Sequence, residues 1–258
     1  MKKYYAFLIL LSVWTTLFGQ NRTRYHHILD GNDLKKLKYI NSKTGEKKDL
    51  MICSDKLKGI ATVDKGSVVF DIWSIDPATD PKKDDPNCIS SNTKLGDWRF
   101  EINLNRDSLG QSTKPLIIPF RARSFGLGTI PFRIRFPRKD QSATVAAQLS
   151  FVANYNWTFG RSIFTHRGVN NYSLGIGPFL GLSIADIKKT TSMDLSKYTL
   201  DRNNPALTSG INLILSRNNL GFIVSFGFDN SLGKDSENWY YQRKPWIGFG
   251  LNASLGYF

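Results

Sequence analysis

The final stretch IGFGLNASLGYF, residues 247–258, decides the fold. Ile247, Phe249, Leu251, Ala253, Leu255 and Tyr257 fall on one face of an extended chain. Gly248, Gly250, Asn252, Ser254 and Gly256 fall on the other, and Phe258 follows. A two-residue period with one apolar and one small or polar face is a strand signature. A strand with one face to lipid and the other to a lumen needs a closed sheet, because no free edge survives in a bilayer.

The alternation runs back through the chain. From Val145 to Phe159 the odd positions are apolar, and the even ones are mostly Thr, Gln, Ser and Asn. From Tyr172 to Ile184 the even positions are apolar and the odd ones mostly Gly and Ser. Leu207, Ile211, Leu213 and Leu215 make a further face, as do Leu220, Phe222, Val224, Phe226 and Phe228. Arg217-Asn218-Asn219 between them reads as a tight turn. Trp98–Leu104, Leu116–Ala122 and Ile130–Phe136 alternate too. With the last strand the expected count is eight, the smallest common barrel size, and recruiting Gly66–Asp76 extends it toward ten. The expected short connections are Phe125–Thr129, Gly160–Asn171 and Arg217–Asn219; the expected longer loops are Arg106–Pro115, Arg138–Ala143, Ile187–Pro205 and Asp229–Pro245.

Lys2 and Lys3 precede an apolar run from Tyr4 to Phe18, then Gly19 and a polar stretch. This reads as a signal peptide, residues 1–19, cut after Gly19. The alternative, a retained anchor, needs about 20 apolar residues. Together the leader, the strand series from Trp98 and the ending Leu255, Tyr257, Phe258 resemble a small outer-membrane β-barrel protein of Bacteroidetes-type Gram-negative bacteria. The resemblance implies an all-β, antiparallel transmembrane barrel spanning 96–258, located in the outer membrane. It also implies recognition of Leu255, Tyr257 and Phe258 by the barrel-assembly machinery. Phe258 stands one residue out of phase with the alternation.

Residues 20–95 differ in composition. They are Lys-dense, with short β-like pieces at Leu50–Cys53 and Val68–Trp73 and a Pro-Asp-Lys linker at Asp76–Pro86. They read as a periplasmic β-rich segment or tail. Cys53 and Cys88 are the only cysteines, and in an exported chain they are candidates for a disulfide that would contribute about 3–4 kcal/mol. Two unpaired thiols is the alternative. No metal-ligand spacing and no cofactor motif appears.

The net charge of +14 would suggest nucleic acid in a cytosolic protein, but export argues against it. Outer-membrane lipid and lipopolysaccharide are the expected partners; Arg138, Lys139, Lys188 and Lys189 at the outer strand ends either meet their anionic groups or are simply solvated loop charge. A sharper feature is Arg121, Arg123, Arg133 and Arg135, with Glu101 on the neighbouring strand, all expected to face the lumen. Buried arginines need partners, and Glu101, Asp186, Asp229, Gln148, Asn154 and Asn156 are candidates. The cluster either fills a narrow interior against facing glycines or lines an anion conduit. No catalytic elbow, metalloprotease motif or phosphate loop is present, and His166 sits in a turn. The expected role is therefore structural or surface-interacting, without catalysis. A narrow porin-like transport barrel is the alternative, and a lipid-modifying barrel enzyme the weaker third.

Overall fold

Alternation becomes strand wherever the chain is described. The structure, a computed structural model, describes residues 26–30, 38–41, 45, 47–48, 51–52, 56–64, 66–75, 88–89, 98–104, 115–136, 144–165, 167–194, 196, 200–234 and 236–257. The strands are β1 (His26–Asp30), β2 (Lys38–Asn41), β3 (Lys47–Lys48), β4 (Met51–Ile52), β5 (Lys56–Asp64), β6 (Ser67–Ile75), β7 (Cys88–Ile89) and β8 (Trp98–Asn103). They continue as β9 (Leu116–Arg135), β10 (Thr144–Ala147), β11 (Phe151–Thr165), β12 (Gly168–Ile187), β13 (Arg202–Arg217), β14 (Leu220–Ser231) and β15 (Pro245–Tyr257). Among the described residues the only helical pieces are the 3-10 turns Lys189–Thr191 and Ser236–Asn238.

One large antiparallel sheet holds all but β4 and β7, which form a small parallel pair. Six strands, β9, β11, β12, β13, β14 and β15, pair in sequence and close into a ring through β15 and β9. The twenty-residue β9 is the seam. One edge pairs with β11 and β10; the other pairs with β15 over Ser124–Arg135 and with β1 at Phe120 and Arg121. From β1 the sheet runs on through β5, β6, β8, β2 and β3.

This corrects the expected count of eight. Leu116–Ala122 and Ile130–Phe136 are one strand, not two. Phe125–Thr129, expected to turn, pairs on both edges, with Tyr155–Phe151 and with Gly256–Leu251. Trp98–Asn103 pairs with β6 and β2 and lies outside the ring. The expected Gly160–Asn171 connection is mostly ladder, because β11 and β12 pair down to Thr165 and Gly168. The Arg217–Asn219 turn stands as read, with Asn218 in the left-handed region at φ 53°.

The two parts of the sheet have opposite polarity. In the N-terminal part Leu29, Leu57, Val68, Phe70, Phe100 and Ile102 are buried, packed with Leu116, Ile118 and Phe164 from the ends of β9 and β11. This is the arrangement of a protein in water. In the ring most buried positions are polar, among them Ser124, Asn154, Asn156, Thr158, Thr208, Asn212, Ser225 and Asn252, with one apolar cluster of Ile130, Val152, Phe179, Ile214, Ile223 and Trp246, while most large apolar side chains point outward. Every exposed large hydrophobic residue among those described lies at Ile117 or later.

Candidate functional site

The ring interior is set by a slip in β9. Ser124, Gly126, Gly128 and Ile130 face inward, and then Arg133 and Arg135 do, so the inward parity changes from even to odd. Pro131 lies at the slip and supplies no ladder N–H. On the β15 edge Phe249 pairs with Phe132 and Leu251 with Thr129, which leaves β9 one residue longer. On the other edge Gln148 N donates to Pro131 O, and Ile130 N donates to Ser150 O. This is a β-bulge, and it re-aims two arginines into the ring. A Cβ on Gly250 would run into the Thr129 carbonyl at the same place, so the bulge needs glycine opposite it.

Asp229 on β14 receives both arginines. Arg133 Nη1 donates to its two carboxylate oxygens at 2.8 Å each, and Arg135 Nη2 donates at 2.8 Å. All three side chains are buried. Arg135 also reaches Gln148 Oε1 at 3.4 Å. Aromatic faces cover the rest: Arg133 lies 4.5 Å from the Trp246 ring, and Arg135 lies 5.0 Å from Trp239 and 4.7 Å from Tyr241. Cation–π contacts of this kind gain strength when desolvated. Below the cluster Trp246 packs against Phe179 at 5.9 Å. A Cβ at Gly227 would lie 2.6 Å from Trp246 and 2.8 Å from Phe179, so large residues on one wall do meet glycines on the other.

Both ends of the ring are plugged. At one end the loops after β12 and β14 bind each other: Met193 N to Asn238 O, Tyr240 N to Thr191 O, and Asn238 Nδ2 to Asp194 O. They fold Trp239 and Tyr241 over Ala185, Ile187 and Ala206. At the other end a second bulge, between Ser254 and Gly256, turns Tyr257 to the inner face. There its ring meets Phe120 at 5.9 Å and its hydroxyl donates to Asn218 O. The remaining space there is about 10 Å³, bordered by Ser124, Asn156, Thr158, Asn252 and Tyr257.

The expected lumen set is thus divided. Arg133 and Arg135 come together with Asp229 and Gln148. Arg121 and Arg123 face outward, because they precede the bulge. Arg121 stands over Phe159 at 5.9 Å, and Arg123 is paired across the ladder with Trp157. Glu101 is on β8, beside Lys38 and Val69 in the N-terminal sheet. Asp186 pairs with Lys188 instead, at 2.7 Å, and Asn154 and Asn156 bond each other and Asn252. Leu255 faces outward but Tyr257 does not share its face. Phe258, Cys53, Arg138, Lys139, His166, the linker Asp76–Pro86 and the proposed leader lie outside the described residues. The strand of Cys88 pairs with Met51–Ile52, just before Cys53.

One site had no sequence signal. His27 on β1 is 1 % exposed and joins the N-terminal sheet to the ring. The Ala61 N–H donates to its Nδ1 at 3.1 Å, so Nε2 carries the proton and donates to Ser162 Oγ at 2.9 Å. The Ser162 hydroxyl donates on to Asn171 Oδ1 at 2.7 Å. Burial, with His26 beside it, pushes the His27 pKa down to about 4. A serine nucleophile needs a base that accepts its proton; here the histidine donates, so the pair is a structural latch. Among the described residues no group of His, Cys, Asp and Glu could hold a metal ion.

No protein-family model, curated protein or solved structure matches the chain.

Proposed function

We propose that the ring sits in a bacterial outer membrane as an integral β-barrel with a structural or surface-interaction role. The observation that carries this is the inverted polarity of one continuous sheet. More than twenty large apolar side chains of the ring strands are exposed, and each is worth roughly 1 kcal/mol when half its surface leaves water. Left in water they would forfeit on the order of 20 kcal/mol, more than the net stability of an ordinary domain. A bilayer removes that cost. On β14 the outward apolar run from Leu220 to Phe228 climbs roughly 20 Å at the usual strand rise and tilt, close to the apolar band of such barrels.

The polarity also orients the molecule. The N-terminal sheet, apolar inside, joins the ring at the end with the β11–β12 and β13–β14 turns, which is the periplasmic end of this reading. The capped loop end faces outward. The ring is smaller than the common minimum of eight strands, which is why its inner wall needs so many glycines. An Arg-lined conduit gains no support from an interior in which Arg133 and Arg135 are paired and stacked. The test is gel mobility of the protein from isolated outer membranes, with and without boiling. A heat-dependent shift supports the reading; recovery in the soluble periplasmic fraction with no shift overturns it.

A further inference from the structure

The outer face carries a shallow, open groove across β11, β12 and β13 at the turn end of the ring. Its edge is a cross-strand row. Arg161 is paired with Tyr172, and Tyr172 with Arg217, and all three side chains are exposed. Directly opposed residues on one face stand about 5 Å apart at Cβ, so the two arginines occupy the strand positions on either side of Tyr172. Arg217 leans over Tyr172, 5.6 Å from its ring. The next row toward the middle of the ring is Phe159, Leu174 and Leu215, also exposed and paired in the same order. Among the described residues neither arginine has an ion-pair partner.

We propose that this groove holds one anionic phospholipid, its phosphate between Arg161 and Arg217 and an acyl chain over Leu174 and Leu215. The inference rests on the membrane reading above and adds a headgroup preference to it. Cationic and phenolic groups at the rim with an apolar floor match the two ends of such a molecule. Tyr and Arg are suited to the headgroup level, where one end of the side chain is wet. A soluble anion would use the arginines but would leave the floor uncovered.

The test is native mass spectrometry of the full chain extracted from vesicles of equal phosphatidylglycerol and phosphatidylcholine. The wild type should retain phosphatidylglycerol preferentially. R161Q/R217Q should lower that preference about 25-fold, a factor of roughly five per arginine. R161K/R217K should keep most of it, and K244Q, at the other end of the ring, should change nothing. The same preference in R161Q/R217Q would overturn the site, as would retention of added inorganic phosphate but not lipid. Entry into vesicles without any headgroup preference overturns the site alone. Failure to enter vesicles overturns the membrane reading as well.

Discussion

Replacing Asp229 with Asn keeps the shape of the ring interior and removes its one acceptor charge for Arg133 and Arg135. Asp229 is fully buried and makes three contacts of 2.8 Å to the two guanidiniums. With charge centres about 4 Å apart and an effective dielectric near 20, each attraction is worth about 4 kcal/mol. Repulsion between the two arginines and the desolvation of all three groups offset part of this. Measured losses on removing one partner of a buried ion pair are about 3–5 kcal/mol, and that is the expected effect of D229N. The assay is urea unfolding in detergent micelles followed by tryptophan fluorescence, since Trp246 and Trp239 stack on the same guanidiniums. Replacing all three charged groups with apolar residues of similar volume should recover much of the loss, because no charge is then left unpaired. A D229N midpoint within about 1 kcal/mol of wild type would refute the view that this cluster anchors the interior.

Other outcomes follow from the same geometry. Protonating His27 would break its bond from the Ala61 N–H. Its folded pKa of about 4 lies below the ordinary 6.5, so the latch is fully present above pH 6.5 and is lost as pH falls toward 4. The loss approaches about 3 kcal/mol, read as faster hydrogen exchange in β1 and β5, and H27Q should flatten the dependence. Trp246→Ala should cost about 3–5 kcal/mol by emptying the space between Phe179 and Arg133, read as a lower melting temperature of the heat-dependent gel shift. Gly250→Ala should cost about 1–3 kcal/mol, because its Cβ meets the Thr129 backbone rather than a movable side chain. A neutral result in the same melt would place the strain elsewhere.

The sequence was legible where one rule acts at a time. From Val145 to Leu255 the two-residue period places the outward apolar residues on the correct face, and Arg217-Asn218-Asn219 reads as the turn it is. Glycine obscured β9. In Gly126 and Gly128 it serves a crowded inner wall, yet the same residues read as a turn between two strands. Pro131 marks the bulge rather than a strand end. The bulge then separated four arginines that looked alike: two turned inward to Asp229 and two remained outside. Trp98–Asn103 alternates equally well in either part of the sheet, so its pattern could not assign it. His27 and Ser162 lie 135 residues apart, and no local pattern joins them. The bulge at Leu255 likewise moved Tyr257 off the face that its parity suggests.

In the proposed membrane setting the outer face of the ring contacts lipid. Ile211 is 57 % exposed at the middle of the apolar run on β13, so an arginine there meets no steric barrier. The most direct measurement is the unfolding free energy of Ile211→Arg against wild type in lipid vesicles. The expected loss is about 2–4 kcal/mol, the cost of a cation at the bilayer midplane. A change within about 0.5 kcal/mol, as for a charge placed on a water-facing surface, would contradict it.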